Sequence, residues 1–384
     1  NLGSRDVGYF VFYATLVGLG MALGLAIIVW LTRNTGGGQA IPALLATGAL
    51  AGLAAIYVFV GQPGWHGERL YVVMADQADL SSAADIVDPM ERRQYVYERL
   101  TDHANATQAG VRQALDAVGV NYHPYYLVNA LEVDAGPFVR LWLAAQPEVD
   151  RVLLSPELRP LPEQPPVTTG SATGPDEPEW NLVDIGAPQV WQAFGARGAG
   201  IIIGQSDSGV DGAHPELSAQ YRGAQAASPT GNDYNWYDPW NASPSPTDIG
   251  GHGTHTLGSI LGRTVGVAPD ASWIGCVNLG RNLGNPPRYL DCLQFHLAPF
   301  PQAGDPLRDG RPDWGAHVLN NSWGCPEIEG CDPTSLLAAV RALRAAGVFV
   351  VASAGNDGSA CSTIADPISL YDEVFTVGAI DEFG

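Results

Sequence analysis

Ile201-Ile202-Ile203-Gly204-Gln205-Ser206-Asp207-Ser208-Gly209-Val210-Asp211 passes from an unbroken apolar run into a polar, glycine-containing turn. Consecutive apolar residues in so short a run suit a strand whose two faces are both covered. Four further runs read the same way: Ser272–Val277, His317–Asn320, Val348–Ala352 and Val374–Ala379, after a first at Gly200–Gln205. Helical stretches alternate with them, most clearly His252–Leu261 and Ser335–Ala346. Buried strands between helices predict an α/β fold, a mostly parallel sheet with helices on both faces. Functional side chains of such a sheet gather beyond the C-terminal ends of its strands.

Three groups fall at those ends. Asp207 follows the first run, His252 opens a helix in Gly250-Gly251-His252-Gly253-Thr254-His255, and Asn356 follows Val348–Ala352 in Ala354-Gly355-Asn356-Asp357-Gly358. An acid, an imidazole and an amide at the loop edge of one sheet are parts of an acyl-transfer site. The carboxylate holds the imidazole tautomer, the imidazole takes a hydroxyl proton, and the amide N–H meets the oxyanion. Each alone has a plainer reading, as a cap, a structural histidine or a turn.

These residues, in this order and with these flanks, resemble the subtilisin-like serine proteases (subtilases) over Trp180–Gly384. Asp-Ser-Gly-Val-Asp at 207–211, followed by His214-Pro215-Glu216-Leu217, resembles the segment around the family's catalytic aspartate. By that match Asp207 is catalytic and Asp211 a flanking acid. His252-Gly253-Thr254-His255 resembles the catalytic histidine motif, with His252 catalytic and His255 packed one turn later. Asn320-Asn321-Ser322-Trp323-Gly324 resembles the edge strand that pairs with the substrate backbone and walls the specificity pocket, so Ser322, Trp323 and Gly324 are the substrate-binding candidates. Ala354-Gly355-Asn356 resembles the oxyanion-hole segment. The family places its nucleophile in a Gly-Thr-Ser motif after that asparagine. No Gly-Thr-Ser occurs in these 384 residues. The sequence therefore reads as truncated at its C-terminal side and inert as it stands.

The region before the peptidase-like stretch divides by composition. Tyr9–Leu31 and Ile41–Val60 carry no charge, and each is long enough to cross a bilayer as a helix. With the short link holding Arg33 they predict a helical hairpin over 1–66. Arg33 favours a cytoplasmic loop and so an extracytoplasmic remainder. Residues 67–160 mix strands, at 69–74, 126–133 and 149–154, with helices at 87–119 and 137–146, an α+β pattern. This domain resembles the family's inhibitory propeptide, with Val149–Pro162 as its cleft-blocking tail. Leu161–Pro178, rich in Pro, Thr and Gly, reads as a linker, with the peptidase domain starting at 180.

Net charge −21 excludes nucleic acid as partner, because nothing would neutralise phosphates. The partners that remain are polypeptide substrates, the chain's own propeptide-like domain and the membrane. No cofactor is required and no metal site is assigned; structural calcium is compatible with the acidity but not readable from it. A metal site of His252, His255 and Asp207 fits poorly, since the histidines are three apart with no Glu between them as in His-Glu-x-x-His. Five cysteines include two short-loop pairs, Cys276 with Cys292 and Cys325 with Cys331, which as disulfides imply an oxidising compartment. Buried free thiols are the alternative. Two functions compete: a membrane-anchored serine endopeptidase made as a zymogen, and a non-catalytic pseudoprotease that holds a peptide in the same cleft by strand addition.

Overall fold

The computed structural model describes residues 7–32, 65–156, 174–225, 231–280 and 283–381, with residue 229 and a few positions between 44 and 55. Contacts divide the chain into two compact units. One is Asn1–Arg69 with Asp134–Ala145, the other Leu70–Val133 with Gln146–Gly384.

The elements run α1 (Val7–Thr32), β1 (Glu68–Met74), α2 (Pro89–Thr107), α3 (Ala109–Ala117), β2 (Asn121–Tyr125), β3 (Ala130–Ala135), α4 (Pro137–Ala144) and β4 (Val149–Leu154). They continue with α5 (Trp180–Asp184), α6 (Ala187–Phe194), β5 (Ile202–Asp207), β6 (Trp236–Tyr237), α7 (His252–Leu261), β7 (Ser272–Val277), α8 (Pro286–Leu297), β8 (Val318–Asn321), α9 (Leu337–Ala345), β9 (Phe349–Ser353) and β10 (Phe375–Val377). Residues 41–43 and most of 53–64, where the second apolar run falls, lie outside the described residues, as does 157–173 with most of the expected tail and linker. Among the described residues no helix is long and apolar enough to cross a membrane. The side chains described in α1, at 16–24 and 26–30, are almost all exposed, Leu16, Val17, Leu19, Leu23, Ile27 and Trp30 included.

A four-stranded sheet has the order β2-β3-β1-β4, with β1 antiparallel to β4. The helix expected over 87–119 is broken at Gln108. That side chain turns inward, and its Nε2 donates to Tyr125 O, Asn129 Oδ1 and Ala130 O. The strand expected at 126–133 begins later, at Ala130, because Tyr126 and Leu127 give their N–H groups to Gln294 Oε1 rather than to a ladder.

The large sheet has six strands in the order β10-β9-β8-β5-β7-β6, every pair parallel. Alternate residues serve opposite faces, as a pleat requires. Ile203, Trp273 and Val277 pack with Leu257 and Leu261 of α7. Ile274 and Cys276 pack with Cys292 and Phe295 of α8, while Leu319 and Val350 join residues of α8 and α9. Helices therefore cover both faces. The register sets Gln205 beside Asn320 and Asn320 beside Val351. The C-terminal ends of β5, β8 and β9 thus reach one edge of the sheet in step.

Candidate active site

Asp207 ends β5 with its carboxylate fully buried. Oδ1 accepts Ser208 N at 2.7 Å and His252 Nδ1 at 2.7 Å; Oδ2 accepts Thr256 Oγ1 at 3.3 Å. A carboxylate only accepts hydrogen bonds, so Nδ1 of His252 carries the proton and Nε2 keeps its lone pair. His252 is the first residue of α7, and its side chain is 42% exposed. Its pKa lies above the usual imidazole value. The hydrogen bond to Asp207 raises it most, partial burial opposes, and the charges of Asp207 and Asp248 add to the rise. Close approach of the two segments needs Gly253, where a Cβ would stand 2.1 Å from Gly209 O and 2.9 Å from Asp207 Cβ.

Buried Gln205 reaches across the sheet behind this pair. Its Nε2 donates to Gly253 O at 3.1 Å and Thr256 Oγ1 at 2.8 Å, and its Oε1 accepts Asn320 Nδ2 at 3.1 Å. Asn320 Nδ2 also donates to Ser322 Oγ at 3.0 Å. Gln205, Thr256 and Asp248 were not singled out by sequence reasoning. For Asp248 the available signal was an acid four residues before the histidine, ahead of a glycine pair.

Two expectations are corrected. β8 is not an edge strand: it is paired with β5 on one side and β9 on the other, and only Ser322–Gly324 run free of the ladder beyond its end. His255 is exposed rather than packed, because the buried face of α7 is Gly253, Leu257 and Leu261. Trp323 is buried and stacks on Tyr289, centroids 4.0 Å apart. Tyr289 Oη–H is shared between Gly324 O and Glu329 Oε2, fixing the peptide beside Trp323. Asn356 is exposed, three residues past β9 and after Gly355 at φ 91°. Cys276–Cys292 and Cys325–Cys331 are disulfides, and Cys361 is an exposed free thiol. Among the described residues no group of three or more His, Cys, Asp or Glu stands together as metal ligands.

Residues 198–383 match the profile of the subtilase family, Peptidase_S8. The chain is 34% identical over 275 residues to bacillopeptidase F of Bacillus subtilis (strain 168), covering 67% of this chain and 19% of that protein. It is 32% identical over 198 residues to subtilisin DY of Bacillus licheniformis, covering 50% of this chain and 60% of that one. The crystal structure of a mutant of the epidermin leader peptide processing serine protease from Staphylococcus aureus has the same fold. The TM-score is 0.56 at 15% identity, over 82% of this chain and 71% of the other. Fold, motif order and similarity agree: residues 198–383 are similar to the subtilase family, and the chain spans less than two thirds of the length of these curated relatives.

Proposed function

We propose that the protein is a membrane-anchored serine endopeptidase of the subtilisin type, made as a zymogen, that hydrolyses polypeptides through an acyl-enzyme. The observation that carries this reading is the 2.7 Å contact between His252 Nδ1 and the fully buried Asp207 carboxylate. Asp207 fixes the tautomer and stabilises the imidazolium; Nε2 takes the proton of a serine hydroxyl as its oxygen attacks the peptide carbonyl. The oxyanion meets the Asn356 amide. The imidazolium then protonates the leaving amine, and water repeats the sequence on the ester. In this reading the backbone of Ser322–Gly324, which continues past the β8 ladder, pairs with an extended peptide.

The nucleophile assigned by this reading is the serine of a Gly-Thr-Ser motif, which these 384 residues do not contain. The test uses a form that carries that motif. A fluorophosphonate probe should label it, and His252→Ala should slow labelling by more than about a thousandfold. Undiminished labelling would remove His252 as the base. In the present chain, Asp207→Asn should lower the pKa of His252 followed by NMR; an unchanged titration counts against the pair.

Residues 67–160 act in this reading as the inhibitory propeptide-like domain, supported by the core that 70–133 shares with the peptidase stretch. The exposed apolar side chains between 16 and 30 support residues 1–66 as the membrane anchor, and the two disulfides support an extracytoplasmic peptidase domain. After alkaline carbonate extraction the chain should stay with membranes, and deletion of 1–66 should release it. Equal extraction of both forms sinks the anchor.

A further inference from the structure

The first turn of α7 lacks the cap its sequence position calls for. Gly251, at the N-cap, has no side chain, and its φ is 76°. The N–H groups of the opening turn must find acceptors elsewhere or His252 frays with them. Asp248 supplies acceptors from upstream for the N–H groups of Gly251 and Thr254, and for that of Gly250 just before the helix. Its Oδ1 accepts Gly250 N at 3.0 Å and Gly251 N at 2.8 Å, while its Oδ2 accepts Thr254 N at 2.9 Å and Thr254 Oγ1 at 2.6 Å.

The same carboxylate is tied to the loop that carries the catalytic acid. Ser208, next to Asp207, donates its hydroxyl to Asp248 Oδ1 at 2.9 Å, and that hydroxyl oxygen accepts Gly253 N at 3.0 Å. Thr254 Oγ1 in turn accepts Asp211 N at 2.9 Å. Gly209 and Asp248 form an antiparallel backbone bridge so close that a Cβ at Gly209 would stand 2.1 Å from Thr247 O. Among the described residues, the hydrogen bonds that fix the relative placement of the 207–211 loop and the 252–254 turn therefore pass through Asp248, through a group bonded to it, or through the Asp207–His252 contact and the Gln205 and Thr256 bonds behind it.

We propose that Asp248 is the positioning residue of the acid–base pair: with Ser208 and Thr254 it locks the helix carrying His252 to the loop carrying Asp207. This inference rests on the serine-protease reading for its consequence in catalysis, but not for its structural test. It assigns Asp248 no contact with substrate. Its work is to keep the 2.7 Å Nδ1–Oδ1 bond from opening.

The test has two arms. In the present chain, NMR follows the His252 Nδ1–H proton and the His252 titration. Asp248→Ala should lose the resolved Nδ1–H resonance through solvent exchange and lower the pKa, with the fold retained by circular dichroism. Asp248→Asn should show a smaller effect of the same kind. Asp211→Ala, which removes a carboxylate of the same loop that accepts only Ala213 N, should leave both signals unchanged. If Asp248→Ala fails to fold, Ser208→Ala decides the matter, because it cuts both bonds of the hydroxyl that joins Asp248 Oδ1 to Gly253 N, and the resonance should still weaken. An Nδ1–H resonance and titration unaltered in the variant that folds overturn the proposal. In a form bearing the Gly-Thr-Ser serine, Asp248→Ala should lower kcat at least tenfold with KM little changed. An unmodified form that fails to turn over peptides would refute the protease reading while leaving the NMR result standing.

Discussion

His252 and His296 both touch the environment of β5, and opposite surroundings drive their proton affinities apart. His252 sits at the exposed rim with a buried carboxylate on Nδ1, which favours the charged ring. His296, in α8, is fully enclosed with its Nε2 on Gln205 O at 3.2 Å, and burial pushes its pKa down to about 3. A carbonyl only accepts, so His296 is neutral with the proton on Nε2. The unfolded chain binds a proton here near the ordinary value of about 6.5, and the folded chain does not until about 3. Between those values the unfolded state holds more protons, so stability falls as pH falls, by at most about 1.4 kcal/mol per pH unit from this group. His296→Gln keeps a donor for Gln205 O and cannot titrate. Its stability-against-pH curve, from urea midpoints between pH 4 and 7, should be flatter than the parent's on the acid side. Parallel curves would show that His296 titrates freely in the fold.

At the scale of elements, what the sequence disclosed depended on whether an element has two kinds of face. β7 and α7 begin and end where their patterns predict, since an apolar strand between turns and an amphipathic helix opened by a glycine pair each contrast with their flanks. α8 was missed because it has no polar face: every residue of Pro286–Leu297 except Arg288 is buried, including Asp291, Gln294 and His296. Its period is erased by partners lying elsewhere in the chain. His123 meets Asp291, which also pairs with Arg288 of the same helix, and the amides of Tyr126 and Leu127 meet Gln294. β6, two residues long, is too short to leave a pattern. The Asp207–His252 contact was legible for a related reason. Asp207 ends β5 and His252 opens α7, elements whose patterns are strong, whereas the bonds of Asp248 and Gln205 are announced by no local spacing. Cys276–Cys292 pins β7 to the helix the pattern hid, closing a loop whose constraint is worth about 3 kcal/mol in chain-entropy terms.

In the larger unit one buried cluster joins side chains from both sides of the stretch that composition reads as a linker. Val96, Leu100 and Leu127 belong to the same buried cluster as Leu290, Leu293 and Leu343. Buried polar groups cross the same seam. Arg93 donates to Gly315 O at 3.1 Å, Tyr97 Oη to Pro306 O at 3.0 Å, and Gln294 Oε1 accepts Tyr126 N at 2.7 Å. Unpairing such groups costs about 1–3 kcal/mol each, and exposing the apolar side chains adds about 25 cal/mol per Å². Continuity of the chain contributes little beside that sum. A single cut engineered between Leu154 and Trp180 should therefore leave the two pieces together, eluting in detergent as the intact protein does at micromolar concentration. Gln294→Ala strands the Tyr126 amide and should raise the dissociation constant of the cut pair about tenfold or more, since 1.4 kcal/mol is a factor of ten. Pieces that separate at once would mean that the apolar seam does not close when the strands are unlinked. In that case the first segment would be held in place by the chain between them, and by none of the side chains that bury themselves against its neighbour.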